Sequence, residues 1–120
     1  MSPRYTSGVL KQEIIKIYNS INQEIFGTGI KSQRLDIIGD KVLIFATHKR
    51  IQALKILDDN NRSLTAAVDG LLMEENKRML KEQLERSLGI PVRTVLKDYD
   101  PYTEYSATVI IFDEKLDDHK

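Results

Sequence analysis

A chain of 120 residues fits one domain with a single hydrophobic core. Eighteen basic residues balance eighteen acidic ones, which removes the net positive field that non-specific nucleic-acid binders and anionic-membrane binders rely on. With no cysteine, disulfides, thiolate nucleophiles and cysteine metal sites are excluded, and with no Trp the core has to be built from Ile, Leu and Val.

Met1 to Gly8 is too polar for a signal peptide, and no apolar run approaches the roughly 20 residues that span a bilayer, so the expected location is the cytoplasm. Leu10, Ile14, Ile17, Tyr18, Ile21 and Ile25 then recur at steps of three and four, which predicts an amphipathic helix from about Gly8 to Phe26. Ser7 is the expected N-cap. Gly27 is the expected left-handed terminator, so Gly27-Thr28-Gly29 reads as a helix stop and not as a phosphate loop, which would follow a strand.

Lys31 to Ile38 and Lys41 to Thr47 are β-rich runs around Gly39-Asp40, a pair suited to a type II′ turn. That turn sets Ile38 opposite Lys41, Ile37 opposite Val42 and Leu35 opposite Ile44. Leu35, Ile37, Val42, Ile44 and Ala46 then share one face. The other face collects Ile38, Leu43 and Phe45 among polar neighbours, too apolar for ordinary solvent exposure.

Lys49 to Leu57 reads as a short helix closed by Asp58-Asp59-Asn60-Asn61. From Arg62 to Leu88, Leu64, Val68, Leu71, Leu72, Met79, Leu80, Leu84 and Leu88 keep helical spacing, with Ser63 as candidate cap and Gly89 as stop. At 1.5 Å per residue this helix is about 40 Å long, so part of it should overhang or meet a partner. Ile90 to Lys97 and Tyr105 to Asp113 form a second strand pair, joined by a loop with Asp98, Asp100 and Glu104. Ile110 and Phe112, near its end, join the expected interface with Ile38, Leu43 and Phe45. Residues 114–120 read as a charged, disordered tail after a single domain over 1–113. Two helix-then-hairpin halves predict an α+β fold, a two-layer αββ-αββ sandwich whose four-stranded antiparallel sheet carries long helices on one face.

Chemistry is sparse. His48 with Lys49 and Arg50 could hold a small anion at a strand end, though a solvated basic corner is the simpler reading. Asp98, Asp100 and Glu104 lack the regular oxygen spacing and turn Gly of a calcium loop. Asp117, Asp118 and His119 in the tail have no rigid support, so no metal or cofactor is expected. No Ser-His-Asp or Cys-His set can be assembled, so the expectation is a protein without catalytic activity. An RNA-binding module would need exposed aromatics flanked by basic residues. Phe45 with Arg34 and Lys41 comes nearest, but it fits interface packing better.

Phe26-Gly27-Thr28-Gly29-Ile30-Lys31-Ser32, the hairpin Leu35-Asp36-Ile37-Ile38-Gly39-Asp40-Lys41-Val42, the long charged helix, and Leu88-Gly89-Ile90-Pro91-Val92 before an Asp98-bearing loop together resemble the MpsC-like family of small bacterial domains, over about Val9 to Asp113. The resemblance implies a link to a Na+-translocating, membrane-potential-generating system or to inorganic-carbon uptake. For a chain without a membrane segment it implies an accessory role, peripheral at the inner face of the membrane, and the uncovered sheet face adds the expectation of a homodimer. The sequence departs from the family after the second strand. Where relatives tend to carry Gly-x-Leu-Thr and then Glu, this chain has Ala46-Thr47-His48-Lys49-Arg50-Ile51.

Overall fold

In the computed structural model the described residues are 6–27 and 30–116. The elements run α1 (Ser7–Phe26), β1 (Ile30–Ile38), β2 (Lys41–His48), α2 (Gln52–Asp58), α3 (Arg62–Leu88), β3 (Val92–Tyr99) and β4 (Tyr105–Phe112). The fold is α+β, with one four-stranded antiparallel sheet in the order β1-β2-β4-β3.

Local chemistry sets the element ends. Gly27 and Gly89 close α1 and α3 in the left-handed region, both at φ 69°, and their N–H groups donate to the carbonyls of Gln23 and Glu85. The cap of α1 is Thr6 and not Ser7. Its hydroxyl accepts from the Val9 N–H at 3.3 Å, while Ser7 already lies inside the helix. Ser63 likewise falls within α3, which starts at Arg62 behind Asn61. Gly39 has φ 63° and Asp40 has no positive φ, as a type II′ turn requires, and the register Ile38↔Lys41, Ile37↔Val42, Leu35↔Ile44 follows from it. Thr28 and Gly29 lie outside the described residues.

One core joins the sheet to both long helices. Val42, Ile44 and Ala46 of β2, Val92 and Val95 of β3 and Ile110 and Phe112 of β4 pack with Leu10, Ile14, Ile17, Tyr18 and Ile21 of α1 and Leu80, Leu84 and Leu88 of α3. Ile110 and Phe112 are therefore core residues, 0% exposed, and do not belong to the outer face expected for them. The register decides this. Val42 pairs with Ile110, so the even-numbered residues of β4 share the inward side of the pleat with the even-numbered residues of β2.

The predicted tail is also shorter. The Asp113 N–H donates to the Pro91 carbonyl and the Leu116 N–H to the Gly39 carbonyl, and Leu116 joins the core at 2% exposed. A single leucine in a charged segment thus reaches the core beside the β1–β2 turn. Residues 117–120, with Asp117, Asp118 and His119, lie outside the described residues.

The long helix divides in two. Leu80, Leu84 and Leu88 are buried, whereas from Arg62 to Glu75 Thr65 is the one buried residue, and Leu64 and Leu71 are 56% and 73% exposed. At about 100° per residue, the nine positions between Leu71 and Leu80 amount to a half-turn of rotation, so the two leucines point to opposite sides. Twenty-seven residues at about 1.5 Å each make a rod of about 40 Å in a molecule whose longest dimension is 53 Å. Its N-terminal half packs on α2 and leaves its apolar stripe uncovered.

Candidate functional site

The interior changes character along its length, and each element changes at the same end. On β2 the inward residues run Val42, Ile44, Ala46, then His48. On β4 they run from Phe112 and Ile110 to Thr108 and Ser106, and on β3 from Val92 and Val95 to Lys97 and Tyr99. The inward stripe of α3 passes from Leu88, Leu84 and Leu80 to Asn76, Met73, Asp69 and Thr65, and α1 contributes Asn22 beyond Ile21. Burying so many polar groups is costly unless they are paired.

Most of them are paired. Arg50, 3% exposed, extends its guanidinium between two carboxylates: Nε and Nη2 donate to Asp58 at 3.1 and 2.9 Å, and Nη1 donates to Asp69 at 2.6 Å. Arg62 adds a second cation, 3.2 Å from Asp69 and 3.5 Å from Asp58. Burial opposes the charge on Arg50, but the hydrogen bonds it donates to the two carboxylates outweigh that and hold its pKa above the ordinary value. The same contact holds the Asp58 carboxyl below the usual range. Four charges thus tie the β2–α2 junction to both helices that follow.

Glu104 is the clasp on the other side. It is the one non-glycine residue with positive φ, 65°, among the described residues, and its carboxylate accepts from the Arg50 backbone N–H at 2.8 Å and from Lys31 Nζ at 2.9 Å. Those bonds hold its carboxyl below the usual range. The expected acidic loop is a hydrogen-bonded turn: Asp98 accepts from the Tyr99 N–H and Asp100 from the Tyr102 N–H, each at 2.9 Å. No group of three potential metal ligands occurs among the described residues.

The anion corner expected at His48, Lys49 and Arg50 does not assemble as one site. Successive residues leaving a strand point to different sides: His48 turns inward at 6% exposed, Lys49 is exposed and Arg50 is closed between carboxylates. The His48 ring lies edge-on between Phe26 and Tyr99, with centroids 4.7 and 5.8 Å away, and the Tyr99 hydroxyl donates to the His48 carbonyl at 2.9 Å.

Behind His48 lies a cavity of about 20 Å³, walled by Asn22, Phe26, His48, Met73, Lys97 and Ser106 and roofed by the Arg50–Asp69 pair. Lys97 is its unexpected member. Its ammonium stands 3.2 Å from the Thr108 hydroxyl, 3.5 Å from the Tyr18 hydroxyl and 4.9 Å from the centre of the Tyr18 ring. Burial pushes its pKa down to about 8. Burial, and then the Lys97 charge, also lower the pKa of His48. Sequence reading places Lys97 at the end of a strand without noticing that its parity is that of Val95. Counting inward positions back from Val95 is the signal that finds it.

The outer sheet face is different. Across the strands, Asp36, Leu43, Val109 and Leu96 form one row, Arg34, Phe45, Ala107 and Asp98 the next, and Ile38, Lys41, Ile111 and Thr94 a third. Ile38 is 60%, Phe45 51% and Leu96 53% exposed, so the face carries the expected Ile38, Leu43 and Phe45, with Val109, Ile111 and Leu96 in place of Ile110 and Phe112.

Among the described residues no helix is long and apolar enough to cross a membrane. No curated protein and no solved structure matches the chain. A family model matches residues 6–114, from the cap of α1 through the end of β4, and with it the hairpins, the polar interior and the uncovered sheet face: the chain belongs to the family described as Na+-translocating membrane potential-generating system (MpsC).

Proposed function

We propose that this protein is a non-catalytic accessory domain that pairs with a second copy of itself through the outer sheet face and serves as a peripheral component of a Na+-translocating, membrane-potential-generating system. The observation that carries the reading is the apolar row Leu43–Val109–Leu96 across the middle of the sheet, with Phe45 and Ile38 beside it. A contiguous apolar patch of this kind on a small domain marks an association surface.

A second copy fits this surface by symmetry. A two-fold axis in the plane of the interface and parallel to the strands reverses each row, so Arg34 of one copy meets Asp98 of the other, Phe45 meets Ala107 and Leu43 meets Val109. Opposite charges then fall at the rim, and a large side chain falls on a small one in the middle. The family description supports the membrane-system assignment, and the lack of a spanning helix among the described residues favours a peripheral over a conducting part.

Light scattering at micromolar concentration tests the pairing. The chain should run at twice 13.8 kDa and Phe45→Glu should run at 13.8 kDa. A wild-type monomer at that concentration would overturn the dimer. Fractionation of the native cell tests the membrane role, which fails if the tagged chain never travels with an ion-translocating membrane complex.

A further inference from the structure

We propose that the cavity behind His48 is a binding site for one chloride-sized anion, held by the Lys97 ammonium with Ser106 Oγ and His48 Nε2. The Lys97 ammonium has three N–H donors. Two of them meet Thr108 and Tyr18, and no carboxylate among the described residues pairs with it. A buried cation without a counter-charge is unfavourable, and a bound anion removes that cost.

The neighbouring polar atoms point the same way. His48 Nε2 is buried without a hydrogen-bond partner, Ser106 Oγ has only the Tyr18 hydroxyl beside it, and both residues, 6% and 7% exposed, line the cavity with Lys97. The serine hydroxyl can turn its proton toward a guest, and His48, whose other ring nitrogen bonds to backbone, donates through Nε2 as the imidazolium that a bound anion favours. Native interiors rarely leave such atoms unpaired, and an ion or a water is the usual resolution.

Size and charge select the guest. The cavity is small, about 20 Å³, so a compact monatomic guest fits it better than bicarbonate or phosphate. Sodium is disfavoured because the site already holds the ammonium of Lys97. Arg50 contributes no net charge, being committed to Asp58 and Asp69. The guest is thus a monatomic anion, and the site is separate from the outer sheet face.

Thermal unfolding of the full chain in sodium chloride, sodium bromide and sodium gluconate at matched ionic strength is the first test. Either halide should raise Tm above gluconate in a saturable way, by about 6 °C once it stands tenfold above its Kd. Lys97→Met should abolish the difference and the surface control Lys81→Met should keep it. Chlorine-35 NMR of the wild type is the second test and does not depend on the variant folding: the chloride line should broaden with protein and sharpen again when bromide competes. Equal Tm in gluconate and chloride, or a halide effect that persists in Lys97→Met, would leave the cavity a water site and overturn the proposal, as would an unbroadened chloride line.

Discussion

Leu43 and Val109 are paired directly across β2 and β4, on the side of the sheet that α1 and α3 leave open. Cross-strand neighbours have Cβ atoms only about 5 Å apart, so their side chains form one continuous apolar surface in the middle of the sheet. Replacing both by Lys would put like charges side by side across the proposed two-fold interface. The double variant should run as a monomer in sedimentation at concentrations where the wild type is dimeric, with far-UV circular dichroism unchanged. Dimers that survive both lysines would move the interface elsewhere, to the stripe of Leu64, Val68 and Leu71.

Arg50→Met tests the charge cluster at the β2–α2 junction. Methionine fills much of the volume but leaves Asp58 and Asp69 facing each other with only Arg62 nearby. Removing one partner of a buried pair typically costs 3–5 kcal/mol, and the partial exposure of both carboxylates puts this case near the low end, about 3 kcal/mol. Urea unfolding reads the change in midpoint. Arg78→Ala, which breaks exposed pairs to Glu75 and Glu82, is the control and should leave the midpoint essentially in place.

The hairpins were legible because period-two alternation and Gly39-Asp40 fix parity and register locally. The strand order was not, since nothing in β4 alone says whether it lies beside β2, and that adjacency is what draws Ile110 and Phe112 into the core. Helical spacing misled in α3 for a geometric reason. Leu64 and Leu71 keep steps of three and four with their neighbours, yet they lie on the far side of the helix from Leu80, and the stripe that continues inward is Thr65, Asp69 and Asn76. Polar residues on a helix read as solvent-facing by default, so the polar end of the interior was hidden. It becomes visible once the pairing sets His48, Ser106, Thr108 and Lys97 at the same end of the sheet.

Glu104 separates backbone strain from side-chain bonding. A non-glycine residue at φ 65° carries about 1 kcal/mol of strain that glycine does not. Glu104→Ala keeps the strain and loses the bonds to Arg50 and Lys31, whereas Glu104→Gly loses the bonds and relieves the strain. Both variants should be less stable than wild type, with the alanine form the worse by about 1 kcal/mol in denaturant unfolding. The reverse order would show that the left-handed turn is not under tension.

Lys97 gives the chain a signature in pH. Its pKa is about 8 in the fold against an ordinary 10.5, so between those values the unfolded chain binds the extra proton, and stability rises with pH across that window. Below pH 8 the charge is buried in the fold and the penalty is present in full. The other titrating groups that face it act elsewhere. Burial lowers the pKa of His48 on β2, so its contribution falls below pH 6.5. Burial raises the pKa of Tyr18 on α1 and pushes Tyr99, on the same strand, up to about 12, so they lower stability only above pH 10. Asp69 and Lys77 of α3 and Arg50 after β2 are the other charged groups placed beside it. In gluconate buffer, unfolding free energy should therefore climb from pH 8 to 10 in the wild type and stay flat in Lys97→Met. The variant should be the more stable at pH 7 by at most about 3 kcal/mol. Chloride should shrink the wild-type slope, because an anion beside the ammonium lifts its pKa back toward the ordinary value. A slope that is the same in both salts would separate the burial of Lys97, which it would leave standing, from anion binding, which it would remove.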